Sequence, residues 1–414
     1  MTASRSFMLN KSVILIGSLI RLVLLLTVLH PSCIKAADAQ ELKSLQVHGF
    51  LSQGYAKTTA TRNDVFGDST RGRGSFDFRE IGVNASYRPL TNLQFSGQLL
   101  SRQTGESSKG GIRIDYGFVD YTAITAETKE FGMRLGRTKN PLGFYNDTRD
   151  VPFTRPSILL PQSIYFDRTR NLAHASDGVQ LYGETRSDWG DISAQFGLVF
   201  PQVGDKDTEV AIFRSNQPGD LTPRLSYIGR VIYERDGGRI RLGVSGAQVN
   251  VGYDPAARDP LGAGSIEFFP LIFSAQYNAE RWSITSEYAL RYFKLSDFGI
   301  GRINQQFTGE SLYIQGIYRF NPAWEAVLRY DVLFTDRKDR DGSEWRAKTG
   351  LPADSRFAKD LTVGLRWNIA PAIMLRGEYH RVNGTAWLST LDNPDPAFTD
   401  QHWNLFAAQI SYRF

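Results

Sequence analysis

From about residue 46 onward, apolar and polar side chains in this sequence alternate with a period of two, in long runs, and nothing else in it limits the fold as tightly. In REIGVNASYRP, Ile81, Val83, Ala85 and Tyr87 fall on one face and Glu80, Asn84, Ser86 and Arg88 on the other. After the turn LTN, Leu93, Phe95, Gly97 and Leu99 alternate with Gln94, Ser96 and Gln98, so the two runs form a hairpin. The same reading gives sixteen strands, at 46–57, 76–88, 92–102, 111–123, 130–138, 177–185, 190–200, 224–235, 239–253, 265–278, 281–295, 309–320, 324–337, 357–370, 372–383 and 401–414. Short turns such as PLTN, RSDWG and NPAW take turns with long connections such as 58–75, 201–223, 338–356 and 384–400.

A soluble β-sandwich also repeats strands, but its strands average ~5–6 residues, whereas most of these reach the ~9–11 that cross a bilayer at a tilt. Tyr87, Trp189, Tyr233, Tyr277, Trp282 and Trp324 sit beside the short turns, where an aromatic girdle meets lipid headgroups. The expected fold is therefore all-β: a transmembrane antiparallel β-barrel of about sixteen strands over residues 40–414. In the last run, Phe406, Ala408, Ile410, Tyr412 and Phe414 oppose Ala407, Gln409, Ser411 and Arg413. Pairing that strand with the first, QVHGFLSQGYAK, would close the barrel and leave no edge of unpaired amides in lipid.

Residues 1–39 are expected to be a signal peptide. Arg5 and Lys11 precede the apolar run SVILIGSLIRLVLLLTVL, and ADAQ follows it, with cleavage expected after Ala39. Arg21 in mid-run argues against a retained membrane anchor. Removing this segment takes away Arg5, Lys11, Arg21, Lys35 and Asp38, which lowers the formal charge from +5 to +2 and weakens any case for a nucleic-acid partner. Cys33, the only cysteine, leaves with it, so neither disulfides nor a cysteine metal site are expected. No cofactor motif is present.

About sixteen strands enclose more space than wall side chains can fill, which implies a pore unless something plugs it. The strongest candidate is the third long connection, 139–176. It is rich in aromatic and aliphatic residues, is stiffened by Pro141, Pro152, Pro156 and Pro161, and is expected to fold inward against the wall. A channel that carries a 22-stranded barrel and a plug domain would not fit in this length.

This layout resembles the trimeric diffusion porins of Gram-negative bacteria. GRTKNPLGFYN, followed by DGVQLYGETRSDWGDISAQFGLVF, is similar in arrangement to the phosphate-selective porins over residues 131–200. The resemblance implies a homotrimer, passive passage of small hydrophilic solutes or ions, and a third loop that narrows the lumen. The final strand resembles the C-terminal signal read by the barrel-assembly machinery, carried by Tyr412 and Phe414. Outer-membrane lipid and lipopolysaccharide are the other partners implied. The loop lysines are scattered rather than clustered, so weak anion preference is expected instead of strict phosphate selectivity.

Wall parity turns many arginines inward, and the inferred loop adds more. Arg113, Arg134, Arg149, Arg155, Arg168, Arg170, Arg329, Arg366 and Arg376 are the candidates for a constriction that attracts anions, because guanidinium groups stay charged and grip carboxylate and phosphate. Glu80, Asp115, Glu184, Glu234, Glu287, Glu325, Asp331, Asp360 and Glu378 face the same way, so the alternative is that these arginines pair across strands and brace the wall. Only register can separate the two. A structural or surface-interaction protein with an incidental pore is the competing function.

Two motifs point elsewhere. LAHASDGVQ sets His174 two residues before Ser176, resembling the outer-membrane phospholipase motif, but Asp177 replaces the expected Asn and a turn entering a strand explains the stretch as well. DRKDRDGSEW misses the calcium-loop register and reads as a solvated surface loop that could bridge lipopolysaccharide through divalent ions. Parity sends His380 inward and His402 outward, so no metal pair is expected there.

Overall fold

A computed structural model describes residues 45–70, 72–299 and 304–414. The expected signal segment 1–39 lies outside the described residues. The strands are β1 (Leu45–Thr58), β2 (Ser75–Leu90), β3 (Leu93–Thr104), β4 (Ser108–Ala126), β5 (Lys129–Lys139) and β6 (Ala175–Ser187). They continue as β7 (Gly190–Pro201), β8 (Asp220–Pro223), β9 (Ser226–Arg235), β10 (Ile240–Asp254), β11 (Gly264–Asn278) and β12 (Trp282–Ser296). The last are β13 (Gln305–Asn321), β14 (Trp324–Phe334), β15 (Phe357–Ala370), β16 (Ile373–Gly384) and β17 (His402–Arg413). All pair antiparallel in one sheet.

The four-residue β8 is not a separate wall position. Both β8 and β9 run along β10, with Pro223 opposite Val251 and Tyr227 opposite Gln248, so the wall has sixteen staves. The expected strand 224–235 is thus interrupted around Arg224 and Leu225, whose backbone groups still bond to Asn250 at 3.1 and 2.9 Å. Expected and observed strand ends differ most at β4, which runs Ser108–Ala126 rather than 111–123, at β13, which starts at Gln305 rather than 309, and at β14, which stops at Phe334 rather than 337. There Thr335 donates to the Arg356 carbonyl at 2.8 Å, and the chain leaves the sheet to form a loop.

Closure takes place where the terminal strand suggested. Phe50 faces Arg413 and Thr58 faces Leu405 across β1 and β17, and Gly49 and Phe414 exchange two backbone hydrogen bonds of 3.0 Å. The Phe414 ring occupies the space a side chain at position 49 would need, so a larger residue there would displace the ring.

Parity is regular along each stave. On β15, Val363 is 50% exposed while Thr362 is 0% exposed, and the same split runs round the barrel, with Leu135, Val231, Leu312, Leu328 and Ile410 outside. An isolated soluble chain does not present a continuous apolar skin of this kind; one that crosses a bilayer does. At the short-turn rim Trp324 stacks on Trp367 at 5.2 Å and Trp189 on Tyr233 at 5.8 Å, forming the expected girdle.

Candidate functional site

The connection between β5 and β6 crosses the lumen and is fastened to the wall on opposite sides. Wall carboxylates take up its orphan donors. Glu287 on β12 accepts from the Phe144 amide at 2.9 Å, the Tyr165 hydroxyl at 2.5 Å, Ser274 at 2.5 Å and Tyr313 at 2.9 Å. Glu378 on β16 accepts from the Ile158 and Leu159 amides, and Glu80 on β2 takes Arg155 at 2.7 Å and Arg102 at 3.1 Å. Wall arginines do the converse for loop carbonyls. Arg376 donates to Ser157 at 2.7 Å, to Arg155 at 3.2 Å and to Pro152, while Arg291 donates to Ser163. The prolines explain why such rivets are needed: a proline-rich segment cannot form its own ladder, so its buried backbone must bond to the wall.

A second knot joins the loop's return to β4. Lys139 contacts Asp115, Asp150 and His174, His174 lies 3.1 Å from Asp115, and Arg170 pairs with Asp150. The ligand-type atoms of Asp115, Asp150 and His174 lie within 4.8 Å of one another, but the ammonium of Lys139 already sits among them. This set is an ion-pair network rather than an open metal cradle. Among the described residues no hydrogen bond joins His174 to Ser176, so the geometry does not assemble a serine–histidine dyad. On the far wall His380 is 0% exposed and bridges Asp360 at 2.8 Å and Glu378 at 3.3 Å; His402 is exposed.

The nine candidate arginines occupy several environments. Arg155, Arg170 and Arg149 are buried in the loop, where Arg149 donates to the Tyr165 and Phe166 carbonyls at 3.0 and 3.1 Å. Arg329, 1% exposed, donates to Ser157 at 2.9 Å and Thr362 at 3.2 Å, and Arg376 anchors the loop as above. Arg134 and Arg366, toward the short-turn rim, pair with Asp120 at 2.9 Å and Glu325 at 3.0 Å. Arg113 donates to Asn171. Arg168 differs: it reaches the Ala386 carbonyl at 2.6 Å, makes no ion pair among the described residues, and borders a cavity at the long-loop end.

That cavity, of about 220 Å³, also draws Arg291 from β12 and two residues that inspection of the third loop alone does not find. Arg214 follows the helix Lys206–Phe213, and Arg356 precedes β15. The acids of DRKDRDGSEW build part of the wall: Asp339 accepts the Glu344 and Trp345 amides at 3.1 and 2.8 Å, starting the helix Ser343–Thr349 that carries Trp345 to the cavity. Burial lowers Arg168 and Arg356 to about 10, with Arg214 as the next cause for each. At neutral pH both remain charged.

A closed barrel with an apolar exterior, a polar interior and its third long connection turned into the lumen defines a porin-like transmembrane β-barrel. No known family profile and no curated protein matches the chain in sequence. Among solved structures it is similar to OmpF of Salmonella typhi in complex with daunomycin, with a TM-score of 0.55 and 14% identity over 91% of this chain and 99% of that one. It is also similar to the anion-selective porin of Comamonas acidovorans (TM-score 0.53, 15% identity, 90% and 100% of the two chains). A third is the in-vitro folded trimer form of OmpT, an outer-membrane protein of Vibrio cholerae (TM-score 0.54, 11% identity, 90% and 100%). At these identities the likeness is one of fold, and the fold is that of bacterial outer-membrane porins.

Proposed function

We propose that this protein is a passive diffusion channel of the Gram-negative outer membrane, passing small hydrophilic solutes and ions with a weak preference for anions, and that it assembles as a homotrimer. The observation that carries the reading is that four of the five arginines lining the long-loop cavity, Arg168, Arg214, Arg291 and Arg356, have no carboxylate within ion-pair distance among the described residues, while the fifth, Arg149, pairs with Asp167 at 3.5 Å. Unpaired cations in a narrow passage concentrate anions. The neighbours' own descriptions, one an anion-selective porin and one a trimer form, support the reading without extending to this chain. The likeness of 131–200 to phosphate-selective porins adds little here, because Lys139 is engaged by Asp115 and Asp150. Tyr412 and Phe414 would present the assembly signal, and the charged long-loop rim would meet lipopolysaccharide.

A reversal-potential measurement in planar bilayers under a potassium chloride gradient tests this. Chloride preference is expected, and cation preference would overturn it. A second reading has its own observation: Glu287, Tyr313, Thr362 and His380, facing inward from four staves, are all 0% exposed beneath the loop. A surface protein with a shut lumen would bury them in the same way. Conductance in three equal steps supports an open trimer, and no conductance supports the shut barrel.

A further inference from the structure

The long-loop cavity is more specific than a positive field. Two of its aromatic rings are each flanked by two arginines: Phe166 by Arg291 at 4.8 Å and Arg168 at 5.3 Å, and Trp345 by Arg356 at 4.4 Å and Arg214 at 5.0 Å. The rest of the lining is largely apolar, with Leu142, Ile212, Phe268, Phe293, Phe307 and Leu333. We propose that this cavity binds small organic monoanions in which a carboxylate is joined to an apolar ring or short apolar chain, and that such acids are the solutes the channel favours.

Three observations support the assignment. The side chains of Arg214 and Arg356 make neither a hydrogen bond nor an ion pair among the described residues, so their donors are free for a ligand, whereas Arg168 and Arg291 at the same cavity each donate to a backbone carbonyl and arginines nearer the short turns pair with carboxylates. Stacking on rings fixes each guanidinium plane without using its N–H groups, leaving the fork free to meet a carboxylate. Arg214 also ends the helix Lys206–Phe213 in a left-handed cap with φ of 62°, its amide bonded to the Val210 carbonyl at 2.8 Å, so the helix end fixes the position from which this guanidinium reaches the cavity. An inorganic anion would satisfy the charges but leave the apolar lining wet, and a neutral ring would do the reverse. A carboxylate with an apolar body satisfies both, and the volume admits one ring-sized molecule rather than an oligosaccharide.

The inference rests on the channel reading for passage, whereas binding stands on the cavity itself, and two measurements keep them apart. Titration calorimetry of the detergent-purified protein with benzoate, benzyl alcohol and inorganic phosphate reads binding. Saturable benzoate binding is expected, with phosphate and benzyl alcohol each weaker by about tenfold, the cost of losing either the charged hydrogen bonds or the apolar contact. Arg356→Gln should weaken benzoate by about tenfold, and Arg214→Gln serves as a second variant in a different loop should the first fail to fold. Arg88→Gln, at the short-turn rim, should bind as the parent does. Equal affinity for all three probes, no saturable benzoate binding, or full binding by both folded cavity variants overturns the proposal. Benzoate binding without conductance in potassium chloride would sink the channel reading and leave the site standing; conductance without binding would do the opposite.

Discussion

The two ends of the lumen use the same residue in opposite ways. Toward the short turns, inward arginines meet carboxylates on the next stave: Arg134 with Asp120, Arg241 with Glu234, Arg366 with Glu325. Toward the long loops, Arg168, Arg214, Arg291 and Arg356 lean on aromatic rings and have no such partner. The difference teaches that the number of arginines in a barrel says little about its field. A pair cancels at the distance of a passing ion, and an unpaired guanidinium does not. Between the two ends lies the loop, where buried charges serve as fasteners.

The largest effect should come from breaking a fastener. Glu80 holds two buried guanidiniums, Arg155 and Arg102, each about 4% exposed. Glu80→Gln leaves Arg155 without a counter-charge and Arg102 with only Asp167 at 3.0 Å, and removing one partner of a buried pair costs about 3–5 kcal/mol. Thermal unfolding in detergent, followed by circular dichroism, should show a clear loss for this variant. Glu184→Gln, which removes the exposed partner of Arg186, should show no measurable change. If Glu80→Gln unfolds with the parent, burial alone holds the loop and the distinction between fastened and free arginines collapses.

An intermediate effect is expected at the free arginines, and it should have the opposite signature. Replacing Arg214 and Arg356 together by Gln removes two charges that repel each other across the cavity, so stability should not fall. The chloride-to-potassium permeability ratio, read from reversal potentials, should drop several-fold. A double variant that loses stability while keeping selectivity would mean the cavity arginines are structural after all.

How much of this was legible depends on whether the information is local. Period-two alternation fixes which way each side chain points, so Glu287, Glu378 and His380 could be assigned to the lumen from sequence, as could the closing of the last strand on the first. Partner identity is a different matter. Arg155 meets Glu80 across 75 positions of chain, through a loop with no repeat to set its register. A bulge between Gln98 and Leu99, where β3 and β4 slip, shifts the parity that counting assumes. Arg214 and Arg356 come from connections whose composition marks them only as polar loops, and nothing local says that they fold back over the lumen. Asp339 and Asp341 looked like charges for solvent, yet they accept backbone amides that place Trp345.

A pH-dependent effect sharpens the comparison from the acidic side. Asp207, near the start of the helix Lys206–Phe213, is 7% exposed and accepts from Ser107 at 3.2 Å, with Asp205, Asp392, Arg102 and Arg168 among the charged groups that act on it. Burial first, and repulsion from Asp205 and Asp392 after it, push its carboxyl up to about 8. In the unfolded chain the same group ionises near ~4, so between those values the folded protein holds a proton that the unfolded chain has lost. Stability should therefore decline as pH rises through that window, and Asp207→Asn should flatten the decline in thermal midpoints measured in detergent. Asp392, raised to about 6 by burial and then by Glu106 and Asp64, adds a contribution of the same sign below its own value, so the single variant should leave a remnant slope confined to the acid half of the window. A wild-type midpoint that climbs with pH would mean that Arg102 outweighs burial and Asp205 at the Asp207 carboxyl, and would blur the line between the paired and unpaired ends of the lumen.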